Sequence, residues 1–142
     1  MINCPFSLDN KTILITGAGG GIGRATAVEC AKMGAGIMLT DINEASLNET
    51  LALLDTNEGQ EHRLFVADLT DEDKQAELVK SLPELDGLVS NAGISKVLPI
   101  QFLNTQDMDK IMSINAYAPM YLTQKLFKKK KIKKIKTIKK TK

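Results

Sequence analysis

A cluster of glycines with the spacing Gly17-x3-Gly21-x-Gly23 follows a β-branched segment and precedes a segment with helical spacing of apolar residues. Glycine lets the backbone turn sharply and approach a ligand closely. A helix that begins at such a turn offers free N–H groups and a partial positive charge, which attract phosphate. The strand-turn-helix context predicts a loop that binds a pyrophosphate, and an ordinary turn is the alternative interpretation.

An acidic residue, Asp41, ends the second predicted strand, 18 residues after Gly23. A carboxylate at this place can accept hydrogen bonds from ribose hydroxyls and repels a 2′-phosphate. The loop before Gly23 contains no Arg or Lys that would attract that phosphate. These features favour NAD over NADP as the ligand. The alternative is that Asp41 only caps the helix predicted from Glu44.

Strand-like and helix-like segments alternate around these residues. Strands are predicted at residues 11–16, 37–40, 62–67 and 85–90, and helices at residues 22–33, 44–54, 71–82 and 107–127. Such alternation predicts an α/β fold with a parallel sheet, and right-handed crossovers give the strand order 3-2-1-4. The predicted fold is therefore a Rossmann-like doubly wound sheet of about four strands, with Pro119 able to kink the last helix.

Four motifs in this order resemble those of the short-chain dehydrogenase/reductase family. The glycine loop reads TGxxxGxG with Ile22 between its last two glycines, and ADLT, SNAG and INA follow at residues 67–70, 90–93 and 114–116. In the third motif Ser90 replaces the usual first Asn of the family. The resemblance covers about residues 12 to 115 and implies an oxidoreductase that moves a hydride between NAD and an alcohol or ketone.

The resemblance also implies roles for single residues. Asp68, with its neighbour Leu69, would contact the adenine, while Asn91 would steady the central sheet. The backbone of Ala92 and Gly93 would lie beside the riboses. Each motif also has a plain structural alternative: a helix N-cap at Asp68 or Thr70 and an ordinary turn at residues 91–93.

The resemblance assigns a catalytic position to Asn115, where the family has an Asn that interrupts helix hydrogen bonding and helps hold a water in a proton relay. A polar residue on a helix is the alternative. Asn115 is the only catalytic position of the family that we assign in this sequence.

The remaining catalytic groups of the family are a Ser and a Tyr followed four residues later by a Lys. One such match, Tyr121-x3-Lys125, occurs only six residues after Asn115, and no Ser follows Ser113. We therefore interpret Tyr121 as a packing residue and expect the catalytic half to be absent. The chain alone is predicted to bind cofactor and to be inactive.

Charge divides the chain into two parts. Residues 1–127 carry 9 basic and 17 acidic side chains, whereas residues 128–142 carry 10 lysines and no acid. We expect an incomplete NAD-binding domain at 1–127 and a solvated, low-complexity tail at 128–142, which leaves the fourth strand as an unpaired edge. A frameshift near Lys128 would explain a tail of Lys, Ile and Thr.

Other functions are alternatives to that of an NAD-dependent oxidoreductase. A non-catalytic protein could use the basic tail to bind nucleic acid or an anionic membrane, although a tail without aromatic residues makes these partners a minor alternative. A separate chain could supply the catalytic half, and the 107–127 helix could form a homo-oligomer. The substrate is not readable. Two distant cysteines, one histidine and no apolar leader predict a cytoplasmic protein without a metal or disulfide.

Overall fold

A computed structural model describes residues 6–57 and 59–133 of the chain. Four parallel strands form one sheet in the order β3-β2-β1-β4, which confirms the predicted topology. The strands are β1 (Thr12–Thr16), β2 (Gly36–Asp41), β3 (Arg63–Val66) and β4 (Gly87–Val89). The order reverses beside β1, so the ends of β1, β2 and β4 meet where ligands bind in sheets of this kind.

Helices connect the strands and follow β4. They are α1 (Gly21–Lys32), α2 (Glu44–Ala52), α3 (Glu72–Ser81), α4 (Thr105–Met112) and α5 (Ala118–Lys128). The long helix predicted over 107–127 is present as α4, a π-helical segment, Ser113–Tyr117, and α5, and the π-helical segment contains Asn115, where the family resemblance implied an interruption of helix hydrogen bonding. Pro119 lies in the first turn of α5, where a missing N–H disturbs the helix least.

The two faces of the sheet bury separate apolar clusters. Alternate residues of a strand point to opposite faces, so Ile13 and Ile15 lie with α1 and α2, and Leu14 lies with α3 and α5. Both clusters are almost completely buried. The sheet is therefore covered on both sides, which fits the nearly continuous apolar sequence of its central strands.

The first lysines of the basic segment pack against the fold. Ile132 forms a parallel bridge with Leu85 and contacts the apolar cluster below α3 and α5. The Lys133 ammonium lies 2.7 Å from Asp86 Oδ2, and the Lys131 ammonium donates to the Leu82 carbonyl. The expectation of a solvated tail is thus wrong at residues 131–133, because partial burial of Ile132 and pairing of its neighbours offset lysine repulsion. The bridge to Ile132 lies outside β4, which pairs only with β1 among the described strands and so remains an edge strand. Residues 134–142 lie outside the described residues.

Within residues 6–57 and 59–133 no group of three or more His, Cys, Asp or Glu side chains could hold a metal ion. None of the helices in this part of the chain is long and apolar enough to cross a membrane.

Cys30 is a free, partly buried thiol. Burial raises its pKa, and the charge of Glu29 raises it further.

Candidate dinucleotide-binding site

An open pocket lies at the carboxyl ends of the parallel strands. Six of the residues that the sequence assigned to a cofactor line it together, and they come from four separate parts of the chain: Gly17, Asp41, Asp68, Leu69, Ala92 and Gly93. The pocket also includes residues that the sequence analysis did not assign to a cofactor: Thr40, Ile42, Ala67, Thr70, Ile94, Lys110, Ser113 and Ile114.

Two of the predicted glycines are required by close packing. At Gly17, which has φ +63°, a Cβ would lie 2.8 Å from the Ala92 Cα. At Gly23 a Cβ would lie 2.1 Å from the Gly17 carbonyl oxygen and 2.6 Å from the Asn91 Nδ2. These distances exclude any side chain, so both glycines bring α1, the loop and the end of β4 together.

Two other glycines leave space beside the loop. A Cβ at Gly20 or Gly21 would meet no atom within 4 Å among the described residues, and Gly21 has φ +53°. Gly20 is the N-cap of α1, which has no side-chain cap and no acidic residue in its first turn. The N–H groups of the first turn, with the exposed Ile22 among its residues, are therefore open to an anion.

The carboxylate of Asp41 stands beside the glycine loop. Its Oδ2 accepts a hydrogen bond from the Gly19 N–H at 3.0 Å, and its Oδ1 accepts one from the Asn43 N–H at 3.2 Å. Asn43 is the N-cap of α2, since its Oδ1 accepts from the Ser46 N–H. The interpretation of Asp41 as only a helix cap is therefore wrong, and the carboxylate faces the pocket.

The carboxylate of Asp68 is oriented by the turn that follows it. Its Oδ1 accepts from the Thr70 hydroxyl at 2.7 Å and from the Thr70 N–H at 2.8 Å. These two hydrogen bonds lower the pKa of Asp68, so it is an ionised acceptor at neutral pH. The N-cap of α3 is Asp71, not Asp68 or Thr70 as in the alternative interpretation.

The side chain of Asn91 joins the ends of β1 and β4. Its Nδ2 donates to the carbonyl oxygens of Thr16 and Gly17, both at 3.1 Å. The Thr16 hydroxyl in turn accepts hydrogen bonds from the N–H groups of Asn91 and Ala92, both at 3.0 Å. Thr16 was not predicted as a functional residue. Its position at the end of a strand, directly before the glycine loop, is the signal that could have found it.

The side chain of Asn115 holds the loop after β4. Its Oδ1 accepts from the Ile94 N–H and its Nδ2 donates to the Ile94 carbonyl, both at 2.8 Å. Asn115 lies inside the π-helical segment, where the regular helix pattern changes. Gly93 packs against it, since a Cβ there would lie 3.2 Å from Asn115 Oδ1.

Polar side chains of α1 and α2 form hydrogen bonds that hold the glycine loop. Arg24 donates from Nε to the Thr50 hydroxyl at 2.9 Å and from Nη2 to the Gly19 carbonyl. The same guanidinium pairs with Glu49 at 2.8 Å. The Thr50 hydroxyl is buried and donates to the Ala18 carbonyl at 2.8 Å. Sequence analysis missed Arg24 and Thr50, because their roles depend on a contact between α1 and α2.

The Tyr121-x3-Lys125 pair stands apart from the pocket. Lys125 Nζ lies 3.1 Å from Gln75 Oε1, 3.8 Å from Glu72 Oε2 and 5.7 Å from the centre of the Tyr121 ring. Neither Tyr117 nor Tyr121, the two tyrosines of the chain, lines the pocket. These contacts between α3 and α5 are consistent with the interpretation of Tyr121 as a helix-face residue.

The pocket fits a dinucleotide on several independent features. It contains two carboxylates oriented by N–H or hydroxyl donors. Gly17 of its lining leads into the uncapped N-terminus of α1, where Gly20 and Gly21 leave open space, although residues 20–23 are not themselves part of the lining. The buried Thr40 Oγ1, which lines the pocket, has no hydrogen-bond partner among the described residues. A buried hydroxyl without a partner costs free energy, and a ligand atom or a water beside the ligand would satisfy it.

Comparisons with known proteins agree with this geometry. The sequence model of the short chain dehydrogenase family matches residues 11–136. The 3-oxoacyl-(acyl-carrier-protein) reductase of Rickettsia bellii is 37% identical over 125 residues, which cover 87% of this chain and 50% of that protein. The (S)-acetoin-forming diacetyl reductase of Staphylococcus epidermidis is 34% identical over 116 residues, 79% of this chain and 45% of that protein.

Solved structures show the same similarity. The crystal structure of NAD+-bound xylitol dehydrogenase superimposes with a TM-score of 0.79 at 31% identity, covering 85% of this chain and 48% of that chain. Levodione reductase gives a TM-score of 0.77 at 35% identity, with 84% and 49% covered. This chain belongs to the short-chain dehydrogenase family of oxidoreductases. It spans about half the length of the curated relatives that it matches.

Proposed function

We propose that this chain binds NAD as the nucleotide-binding part of an oxidoreductase that transfers a hydride between NAD(H) and an alcohol or ketone. The observation that carries the proposal is the meeting of Gly17, Asp41, Asp68 and the 92–93 backbone in one pocket at the ends of parallel strands. Family membership supports the reaction class. When bound, NAD would supply the hydride chemistry, while this chain would bind and orient it.

The geometry supports a place for each part of NAD. The N–H groups at Gly20 and Gly21 would bind the pyrophosphate, and Asp41 would accept hydrogen bonds from the adenosine ribose. Asp68, ionised and fixed by Thr70, would accept from the adenine amino group. Ala92 and Gly93 would lie beside the riboses. Asn115, which holds Ile94, would support that wall of the pocket.

The preference for NAD rests on charge beside the loop. The carboxylate of Asp41 lies 3.0 Å from the Gly19 nitrogen and would repel a 2′-phosphate. Arg24, the nearest cation to the loop in sequence, donates to the Gly19 carbonyl of the loop, but its charge is paired with Glu49 at 2.8 Å. These contacts favour a free ribose hydroxyl over a phosphate in this pocket.

Calorimetric titration of the 142-residue chain with NAD and NADP tests the proposal. We expect NAD to bind at least about tenfold more tightly than NADP. Asp41→Asn should weaken NAD binding and reduce the difference between the affinities for NAD and NADP. Asp55→Asn, a control on an exposed residue outside the pocket lining, should leave both affinities unchanged. The absence of NAD binding by the folded wild-type chain would contradict the proposed function.

We further propose that these 142 residues bind the cofactor without catalysing hydride transfer. The two tyrosines lie outside the pocket lining, and Lys125 is engaged by Gln75 and Glu72. A general acid must lie within hydrogen-bond reach of the reacting oxygen. Absorbance at the NADH band, with NAD and a panel of secondary alcohols, should stay constant. Turnover by the wild-type chain would refute this proposal. Its loss in Tyr121→Phe or Tyr117→Phe would then identify a tyrosine as the proton donor, and its persistence in both variants would point to another donor.

A further inference from the structure

A buried amide, Gln75 in α3, holds three separate groups. Its Nε2 donates to the Leu69 carbonyl at 2.6 Å and to the Ala118 carbonyl at 3.0 Å, and its Oε1 accepts from Lys125 Nζ at 3.1 Å. The residue is only 1% exposed. Two carbonyls on one side and an ammonium on the other define which end of the amide is nitrogen. A buried polar side chain so completely bonded fixes the groups around it.

The two carbonyls that Gln75 binds belong to different walls of the candidate pocket. Leu69 lines the pocket itself and directly follows Asp68. Ala118 begins α5 immediately after the π-helical segment, which supplies Ser113 and Ile114 to the lining. We call residues 67–70 the Asp68 wall and residues 113–118, which end at Ala118, the Asn115 wall.

Gln75 itself does not belong to the pocket lining among the described residues. A ligand would therefore sense it only through the two walls. The small cavity between them is lined by Leu69 from one side and by Ile114 and Ala118 from the other. The walls have no covalent connection near the pocket, so their spacing depends on contacts of this kind.

We propose that Gln75 is a positioning residue that fixes the spacing of the Asp68 wall and the Asn115 wall, and so sets the affinity for the adenosine half of the dinucleotide. This inference rests on the proposed function. An apolar side chain of similar length would fill the space but would remove hydrogen bonds from both carbonyls. The walls could then move apart while the helix packing stayed in place.

Gln75→Met is the direct test, with AMP as the probe because AMP carries the adenosine half alone. Titration of the full 142-residue chain by calorimetry, well below the unfolding temperature, should show affinity for AMP reduced at least about fivefold. Affinity for AMP that is unchanged in Gln75→Met would overturn the inference. If the wild-type chain binds neither AMP nor NAD, the proposed function itself fails, which is a different outcome.

Val79→Ala provides the matched control. Val79 lies one turn further along α3, is 1% exposed and packs in the apolar cluster between the sheet, α3 and α5. Its side chain has no polar atom, so it cannot hydrogen-bond to the Leu69 or Ala118 carbonyl. Truncating it should lower the unfolding temperature and leave the affinity for AMP within about twofold of wild type. An equal loss of affinity in Val79→Ala and Gln75→Met would mean that general destabilisation explains both, and would overturn the inference.

A measurement on the wild-type chain covers the case in which Gln75→Met does not fold. The side-chain NH2 of Gln75 should shift in amide NMR spectra as AMP is added, along the same binding curve as the Leu69 amide. The side-chain NH2 of Gln60, which bonds to the Ala31 and Ala35 carbonyls far from the pocket lining, serves as the reference that should not shift. A Leu69 amide signal that shifts while the Gln75 side-chain signal stays constant would contradict the proposal that Gln75 positions the Asp68 wall.

Discussion

Individual residues of the site divide into those that shape the backbone and those that face the ligand. Gly17 and Gly23 have no room for a Cβ, whereas Gly20 has open space at the same loop. The glycine spacing in the sequence predicted the loop, but it did not distinguish these roles. Only the folded contacts between the loop, Asn91 and Ala92 separate them.

A pair of alanine substitutions tests this division. Gly23→Ala should destabilise the fold by about 3 kcal/mol or more, because its Cβ would overlap the Gly17 carbonyl oxygen. Gly20→Ala should cost no more than about 1 kcal/mol, since its φ is extended and its Cβ is free of neighbours. Gly20→Ala should nevertheless weaken NAD binding. Urea unfolding and NAD titration measure the two effects, and equal destabilisation of both variants would contradict the assignment.

Asn115→Ala tests the hold on the loop after β4. Losing both hydrogen bonds to Ile94 should lower the free energy of unfolding by about 1–2 kcal/mol and speed hydrogen exchange of the Ile94 amide. Asn48→Ala is the control, because the Asn48 side chain bonds only to the Glu44 carbonyl of its own helix. Unchanged exchange at Ile94 in Asn115→Ala would show that other contacts hold the loop.

The helices and strands were largely predictable from the sequence, while the segments that connect them and their contacts were not. Apolar segments bounded by glycines predicted alternating strands and helices. Because parallel strands need crossover helices, that alternation predicted the strand order 3-2-1-4. The π-helical segment at Ser113–Tyr117 has no signature in apolar spacing, and only the family resemblance at Asn115 indicated an interruption of the long helix there. The packing of Ile132 against the apolar cluster was likewise missed, because a single partly buried side chain has little effect on a lysine-rich composition.

At the edge of the sheet, Asp86 links two elements to β4. It accepts hydrogen bonds from the Thr12 N–H at 2.9 Å and the Lys133 ammonium at 2.7 Å, and Lys11 lies 3.8 Å away. Burial alone would raise the pKa of Asp86, but these partners outweigh it and lower the pKa from 3.8. A lowered pKa means stability that is present above the unfolded value and is lost as pH falls through the folded value.

Asp86→Asn should therefore destabilise the chain by about 1 kcal/mol at pH 7, because it removes the charge opposite Lys133. The difference from wild type should shrink as pH falls below 4, where Asp86 of the wild type also becomes neutral. Thermal unfolding at a series of pH values measures it. A difference that is constant across this range would show that the ion pair does not contribute to stability. Asp109→Asn, on an exposed residue, is the control.

On the scale of the whole molecule, exposed apolar side chains on α5 support the expectation that the 107–127 helix forms a homo-oligomer, and we propose that the chain self-associates through α5. Met120 is 66% exposed and Phe127 is 63% exposed, and both line a shallow groove on α5. Contiguous exposed apolar surface is typical of interaction sites. Combined Met120→Glu and Phe127→Glu should reduce the mass measured by light scattering to that of one chain. A wild-type mass that already equals one chain at all concentrations would contradict this proposal.

The central claim is that one pocket of this chain binds NAD through the residues assigned above, and amide chemical-shift mapping tests it most directly. Adding NAD to the isotope-labelled 142-residue chain should shift the signals of Gly20, Gly21, Asp41, Asp68 and Gly93 together, with a single dissociation constant. The amides of Gly59 and Asn57, on the other end of the sheet, should stay unchanged. Shifts confined to those distant residues, or no shift at saturating NAD, would contradict the account.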